Sequence, residues 1–379
     1  MSARPESDLS EIRQAVRRFA AAELAPNAAR WDRDKEFPRE ALKGLGAMGL
    51  FGVAIGEQWG GAGLGYGALA VACEEIASGD CATATIVSVN NLVAGILAGY
   101  GSSVHKDKYL RPLAQGKLLG AFALTEPQAG SDASAITTRA ERQGAHYVLN
   151  GVKQFITSGK NADVAVVFAV TSKEAGKRGI SAFVLPTKTP GYVVARIEEK
   201  TGQRCSDTAQ IVFENCRVPA ESLLGEEGGG YRIALANLES GRINVAAQAT
   251  GVARAALEAA LGYARERRSM GKALIEHQAV SFRLADMATG VEAARQLYLH
   301  AASLRDAGAP CIKEASMAKL FASETAERVC SDAIQIHGGY GYVSDFPVER
   351  FWRDVRVTQI YEGASDIQRM VIGRTLQET

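Results

Sequence analysis

The chain has 379 residues, 47% of them apolar and 22% charged, the composition of a globular protein with material for more than one core. Its 43 Lys and Arg balance 42 Asp and Glu, so no net field draws nucleic acid or an anionic bilayer, and an anionic ligand must be held by local arginines. The six cysteines form no C-x-x-C pair and no Cys/His metal spacing, which reads as reduced thiols in a reducing compartment.

The opening stretch "MSARPESDLSEIRQAVRRFAAAEL" carries acidic residues and runs straight into an amphipathic pattern, with Leu9, Ile12, Val16 and Phe19 on one face. It lacks the apolar core of a secretory leader and the acid-poor character of a transit peptide, so a cytoplasmic protein, in a bacterial cytosol, is expected. Up to about residue 117 the texture is helical, broken at Pro26, Pro38, "GEQWGGAGLGYG" and Pro112. That glycine-rich run is neither G-x-G-x-x-G nor followed by G-K-[ST], and it reads as a turn. The most apolar run, "ATIVSVNNLVAGILAGYG", is interrupted by Asn90 and Asn91, which favours a buried helix over a membrane span.

From about 118 to 222 the period changes to two. Asn150-Gly151 between alternating runs predicts a hairpin turn. The β-branched runs "DVAVVFAV", "GISAFVLP", "GYVVARI" and "AQIVFENCRVP" follow without intervening helices, which favours an antiparallel barrel or sandwich over a parallel sheet. From 229 onward helix returns in long amphipathic stretches ending at Gly308 and at Gly338-Gly339; with the closing segment as a fourth helix, an antiparallel bundle is expected. No internal repeat of 20–50 residues is found.

Several stretches carry chemistry. "FALTEPQAGSD" (122–132) is a strand running into a turn whose backbone N–H groups and hydroxyls suit a flat, acceptor-rich ring or an anionic linker. "KQFITSG" (153–159) offers an aromatic and two hydroxyls, with Phe155 and Thr157 on one face by the period of two, although taken alone Phe155 reads as core packing. Arg242 falls in the first turn of an otherwise apolar helix, and an isolated buried arginine must find an anion. Arg265, Arg267 and Arg268 suit either a helix C-terminus or a diphosphate clamp. His337, with no second His or Cys in register, is a cap or packing residue rather than a metal ligand, and no metal is expected. Glu362, in "TQIYEGASDIQ", is a carboxylate in an aromatic, glycine-loosened turn, as a base in a dry pocket would be.

Taken in order, "ALTEPQAGSD", "FITSG", "KTGQRCSDTAQIVFENCRVP", "LESGRI", "RERRSMGK", "QIHGGYGY" and "PVERFWRDVRVTQIYEGASDIQ" resemble the acyl-CoA dehydrogenase family, from about residue 8 to the C-terminus. The resemblance implies a multidomain α+β fold: an N-terminal helical domain (1–117), a middle antiparallel β-barrel domain (118–224) and a C-terminal four-helix bundle (225–379). It implies FAD lying between the β-domain and the bundle, in a homotetramer built as a dimer of dimers with shared FAD sites. Phe122, Leu124, Thr125, Gly130 and Ser131 match the strand lining the flavin ring. Phe155, Ile156 and Thr157 match the segment behind it, where the family more often has Trp at the first position. Ala364, Ser365 and Asp366 follow the base at the same end of the cofactor, with alanine where threonine is common. Arg267, Ser269, Gln278, Gln335, Ile336, His337, Gly338 and Gly339 match contacts to a neighbouring subunit's FAD. Ser131, Glu239, Arg242, Tyr361 and Gly363 match substrate-side positions.

By the same resemblance Glu362 is the catalytic base. It removes the α-proton of an acyl-CoA thioester while a β-hydride passes to flavin N5, giving a trans-2-enoyl-CoA. The thioester carbonyl is held by the Glu362 N–H and a flavin hydroxyl, and the electrons leave to electron transfer flavoprotein. Members that carry the base on the long helix have a glutamate where this chain has Gly241, so that alternative base is absent. "SVNN" (88–91) looks like short-chain members, which leans to short or short branched acyl groups. The rivals are an oxygen-using acyl-CoA oxidase or flavin monooxygenase on the same scaffold, and a DNA-associated flavoprotein, the last unsupported by the net charge of +1.

Overall fold

The computed structural model describes residues 6–377. The stretch read above for a leader thus lies partly outside the described residues. Five helices open the chain: α1 (Glu6–Phe19), α2 (Ala25–Asp34), α3 (Arg39–Ala47), α4 (Gly65–Gly79) and α5 (Cys81–Tyr100), followed by the short α6 (Ser103–His105) and α7 (Arg111–Ala114). The glycine-rich run is a turn as far as Leu64, and α4 begins at its Gly65.

Helix α5 is long and apolar enough to cross a membrane by length and composition, yet 78% of its 18-residue apolar window is buried inside the protein. Its two asparagines explain why. Asn90 Oδ1 accepts the Gly120 N–H at 2.9 Å, and Asn91 Nδ2 donates to the carbonyls of Leu50 and Val87, both at 2.9 Å. Through Gly120 and Leu50 these buried amides tie the helix to neighbouring segments of the chain.

Eight strands follow: β1 (Gly120–Ala123), β2 (Arg139–Gln143), β3 (His146–Thr157), β4 (Val164–Val170), β5 (Ile180–Pro186), β6 (Tyr192–Ile197), β7 (Thr208–Pro219) and β8 (Leu223–Leu224). They form one sheet in the order β6-β7-β3-β2-β4-β5-β8, with β1 paired to β4. The expected antiparallel pattern holds for most pairings, but β4 runs parallel to both β1 and β2. Strand β4 is buried on both faces. Val164, Val166 and Phe168 face a core shared with α5, while Ala165, Val167 and Ala169 face the inner core of the sheet. That double burial is why its run is continuously apolar rather than alternating.

The predicted turn at Asn150-Gly151 is not one. Strand β3 passes straight through it, and the reversal lies at Gly144-Ala145, where Gln143 pairs with His146 and Gly144 has φ +62°. Asn150 instead sits at a bulge against β7, its side chain accepting the Asn215 N–H at 2.8 Å, and Asn215 takes the left-handed conformation. Gly151 is required by a close approach, since a Cβ there would lie 2.5 Å from Thr138 Oγ1.

The remaining helices are α8 (Gly230–Glu266), α9 (Gln278–Asp306), α10 (Ile312–His337), α11 (Val348–Val355) and α12 (Ser365–Gln377), with a small ribbon of β9 (Arg268–Ser269) and β10 (Lys272–Ala273) after α8. The closing segment is therefore two helices rather than one, and the break between α11 and α12 carries Tyr361–Gly363. Glycines end α9 and α10 as expected, Gly308 at φ +70° and Gly338 at φ +60°. A buried ion network fastens the N-terminal helices to the bundle. Arg254 on α8 reaches Glu74 (3.2 Å) and Glu75 (2.6 Å) on α4, Arg295 on α9 reaches Glu74 at 2.8 Å, and Arg17 on α1 reaches Glu75 at 2.9 Å.

Candidate active site

The break between α11 and α12 turns through two consecutive left-handed residues, Glu362 at φ +53° and Gly363 at φ +91°. Glycine adopts this conformation freely, whereas a glutamate there is uncommon and must be held by its surroundings. Three groups hold it. Gln368 Nε2 donates to the carbonyls of Glu362 (3.1 Å) and Gly363 (2.8 Å), and Lys319 Nζ on α10 donates to the Gly363 carbonyl at 2.7 Å. On the other side the Tyr361 hydroxyl donates to Gln248 Oε1 on α8 at 2.6 Å. Gln248 in turn donates to Thr85 on α5 at 2.6 Å, and Thr85 to Gln203 at 2.7 Å.

The Glu362 Oε2 atom is closed to solvent and has no hydrogen-bond partner among the described residues. Burial pushes its carboxyl above the ordinary value, and the charges of Arg242 and Lys319 oppose that rise without cancelling it. Helix α8 makes room for it: a Cβ on Gly241 would lie 2.6 Å from Glu362 Oε2. Arg242 is buried, donates from Nη1 to Ser316 Oγ at 3.2 Å and leaves its Nε without a partner. Burial lowers its pKa, against the pull of Glu362 and Glu239. It stands thirteen residues into α8, not in the first turn that the sequence suggested.

Glu239 lies three residues before Arg242 on α8. Its carboxylate forms an ion pair with Arg305 at 2.7 Å. Tyr361 likewise has its hydroxyl occupied, leaving only its ring to meet a substrate. Asp366 has its side chain 93% exposed, 3.6 Å from Arg369. The Ser365 hydroxyl is buried and unpartnered.

A second group of predicted residues gathers on the sheet. Phe155 has φ +60° and is 63% exposed, because β3 bulges between Lys153 and Ile156. The bulge breaks the period of two that placed Phe155 and Thr157 on one face, and it turns the ring out of the core. Ile156 goes the other way and lies in the core of the sheet, so its side chain is withdrawn from any ligand. Leu124 is also buried, and Phe122 packs edge-on against Phe168 at 5.2 Å. The Gln154 N–H donates to the Thr125 carbonyl at 2.8 Å, which brings the Thr125 strand beside Phe155. Gly130 and Ser131 lie exposed at the turn beyond. The Ser158 N–H donates to the Asp207 carbonyl at 3.0 Å, and Gln203 in the same loop reaches the Tyr361 cluster, linking this edge to the base.

The third group sits at the far end of α8. Arg267, Ser269, Gln278, Gln335, Gly338 and Gly339 are all exposed there, with the Arg267 guanidinium 5.8 Å from the Tyr340 ring centre. Ile336 is buried, and the His337 ring stacks on Tyr263 at 4.3 Å with Nδ1–H donating to the Ala333 carbonyl at 2.8 Å. His337 is a packing residue whose side chain is withdrawn from a cofactor. The 25 residues from Arg242 to Arg267 span about 37 Å of straight helix.

A carboxylate with one oxygen closed to solvent and unpartnered among the described residues, near two buried cations and linked by hydrogen bonds to a strand edge with an exposed aromatic, is an arrangement suited to a base shielded from water. Residues 6–117 match the acyl-CoA dehydrogenase N-terminal domain, 121–216 the middle domain and 228–377 the C-terminal domain. An acyl-CoA dehydrogenase of Bacillus subtilis is 48% identical over 366 residues, covering 96% of this chain and 97% of that protein. Butyryl-CoA dehydrogenase of Megasphaera elsdenii superposes with a TM-score of 0.97 at 41% identity, over the whole of both chains. A chain in a structure of the electron transferring flavoprotein of Acidaminococcus fermentans superposes with a TM-score of 0.98 at 44% identity, again over both whole chains. The chain belongs to the acyl-CoA dehydrogenase family.

Proposed function

We propose that the protein is an FAD-dependent dehydrogenase that oxidises short acyl-CoA thioesters to trans-2-enoyl-CoA, with Glu362 as the base. The observation that carries this reading is the Glu362 carboxylate, whose Oε2 is closed to solvent and unpartnered among the described residues and whose raised pKa makes it a stronger base than a solvated glutamate. The α-hydrogen of a thioester is barely acidic, so the carbonyl must be polarised as the proton leaves, and we assign the Glu362 N–H as one donor. Arg242 and Lys319 hold positive charge beside the carboxylate and keep a working fraction of it ionised.

The residues fit FAD. The exposed Phe155 ring offers an aromatic wall, the Thr125–Ser131 strand and turn offer hydroxyls and backbone donors, and the orphaned Ser365 hydroxyl awaits a partner. Bound there, FAD supplies a hydride acceptor for the β-carbon and passes the electrons onward. Electron transfer flavoprotein is the acceptor we assign, in keeping with the Acidaminococcus fermentans neighbour. Arg267, Ser269, Gln278 and Gln335 are assigned to a second subunit's FAD, because their distance from Arg242 along α8 removes them from this chain's own site. This sharing calls for an oligomer, and a homotetramer is the state we assign. The preference for short acyl groups rests on the likeness to butyryl-CoA dehydrogenase. A cytoplasmic location accords with six free, buried cysteines.

The test is anaerobic mixing of the purified yellow protein with straight, branched and aromatic acyl-CoAs while flavin absorbance is recorded. Bleaching is expected, fastest with short chains. Absence of bleaching with every thioester sinks the reading. Rapid reoxidation of the bleached flavin by oxygen would favour the oxidase instead.

A further inference from the structure

Lys319 belongs to no motif that the sequence singles out. It lies on the apolar stripe of α10, between Ala315, Ala318, Ala322 and Ala326, and its side chain is fully buried. A buried lysine that serves only as packing material is costly, because an ammonium without compensation strongly prefers water. Its Nζ reaches across to the Gly363 carbonyl at 2.7 Å. That carbonyl also accepts from Gln368 Nε2 at 2.8 Å, so two donors converge on one oxygen of the left-handed turn.

We infer that Lys319 is a positioning residue for the base: by holding the Gly363 carbonyl from the bundle core, it fixes the left-handed Glu362–Gly363 turn that presents the carboxylate to substrate. This inference rests on the reading of Glu362 as the base. The geometry separates two jobs that the turn needs. Gln368, six residues on in the same chain segment, closes the turn locally, and Lys319 anchors it to a rigid helix of the bundle. The anchor is reinforced on its other side by Glu324, also on α10, which pairs with Arg369 of α12 at 2.6 Å.

The charge of Lys319 has a second effect. The charged and titratable groups acting on its ammonium are Glu362 on the turn, Arg242 on α8 and Glu324 on α10, with Arg242 itself under the influence of Glu239. Burial lowers the lysine to about 8, so it remains a cation at neutral pH and favours the ionised form of Glu362. Without that cation the carboxyl rises further, and the base is ionised only at higher pH.

The experiment compares four FAD-loaded enzymes, wild type, Lys319→Met, Lys319→Arg and Gln368→Leu, for acyl-CoA oxidation across pH, with bound flavin recorded for each. Lys319→Met is expected to lower kcat about 100-fold, the cost of a base displaced by roughly an ångström. Its KM should stay within about threefold of wild type, since substrate binding is not the lost interaction. The acid limb of its kcat profile should move up by about one pH unit. Lys319→Arg should retain the wild-type acid limb while losing kcat, because a planar fork does not place its donor where an ammonium does. Gln368→Leu should lower kcat about tenfold with the acid limb unmoved, because the lost donor carries no charge.

A folded, flavin-loaded Lys319→Met with wild-type kcat or a wild-type acid limb overturns the inference. If that variant does not fold, wild-type kcat in both Lys319→Arg and Gln368→Leu overturns it, and lowered kcat with the acid limb in place in both supports it. A wild type that oxidises no acyl-CoA overturns the parent reading as well, which distinguishes the two failures.

Discussion

Two carboxylates, each under the influence of a fully buried lysine, sit in different regions of this molecule and behave in opposite ways. In the sheet, Glu126 receives Lys153 directly at 2.8 Å, together with N–H groups of Thr137 (2.6 Å) and Thr138 (2.9 Å). Burial would raise its pKa, but the charge and hydrogen bond of Lys153, with the threonine donors, bring it down to about 2. In the bundle, Lys319 gives its hydrogen bond to a backbone carbonyl instead, and Glu362 Oε2 is left without a partner. Both lysines are drawn to about 8 by burial. The residue types are the same; direct donation from the lysine and the threonines lowers one carboxylate, and burial without such donors raises the other, as a base requires.

The contrast can be broken most directly at the base. Glu362→Gln is expected to lower turnover about 10³–10⁴-fold, while the protein keeps its yellow colour and still binds acyl-CoA, measured by stopped-flow flavin bleaching and ligand titration. In the sheet pair the loss should fall on stability. Lys153→Met leaves Glu126 buried without its cation and should cost about 3–5 kcal/mol in urea unfolding, with Glu126→Gln added to it recovering part of that loss. Gly241→Ala sharpens the comparison, because its Cβ would enter the space of Glu362 Oε2. The carboxylate tip can shift at little structural expense, so unfolding should change little while kcat falls about 100-fold. The smallest effect is in pH dependence. Because Glu362 works ionised and its pKa is raised, kcat should rise with pH through a midpoint above that of an ordinary glutamate, 4.5. A midpoint at or below that value would contradict a dry base.

Much of the architecture is legible in the sequence because it depends on local rules. Helices end at Gly308 and Gly338 since glycine alone takes positive φ at a helix end without strain. The strand-rich middle follows from β-branched runs with no helix between them. Two local rules mislead. Asn150-Gly151 has the composition of a hairpin turn, but Asn215 on the facing strand takes the left-handed conformation and Thr138 fills the space beside the glycine. The period of two places Phe155 with Thr157, but a bulge one residue earlier turns the ring outward.

Of the site, Glu362 is legible because an acidic residue between tyrosine and glycine is odd on its own. Its supports are not. Thr85, Gln203 and Gln248 meet Tyr361 only in three dimensions, and no spacing in the chain connects them. Lys319 leaves one trace, a charge on the alanine stripe of an amphipathic helix, and that break in pattern is the signal from which it can be found.

The closeness of Gly241 to Glu362 also bears on how such chains diverge. A single small volume is bordered by a helix from one part of the sequence and a turn from another, and it has room for one side chain. A residue larger than glycine at 241 displaces the tip of the side chain at 362, so the two positions compete for the same space. On the reading of Glu362 as the base, the place of its carboxylate is set jointly by two distant segments of the chain.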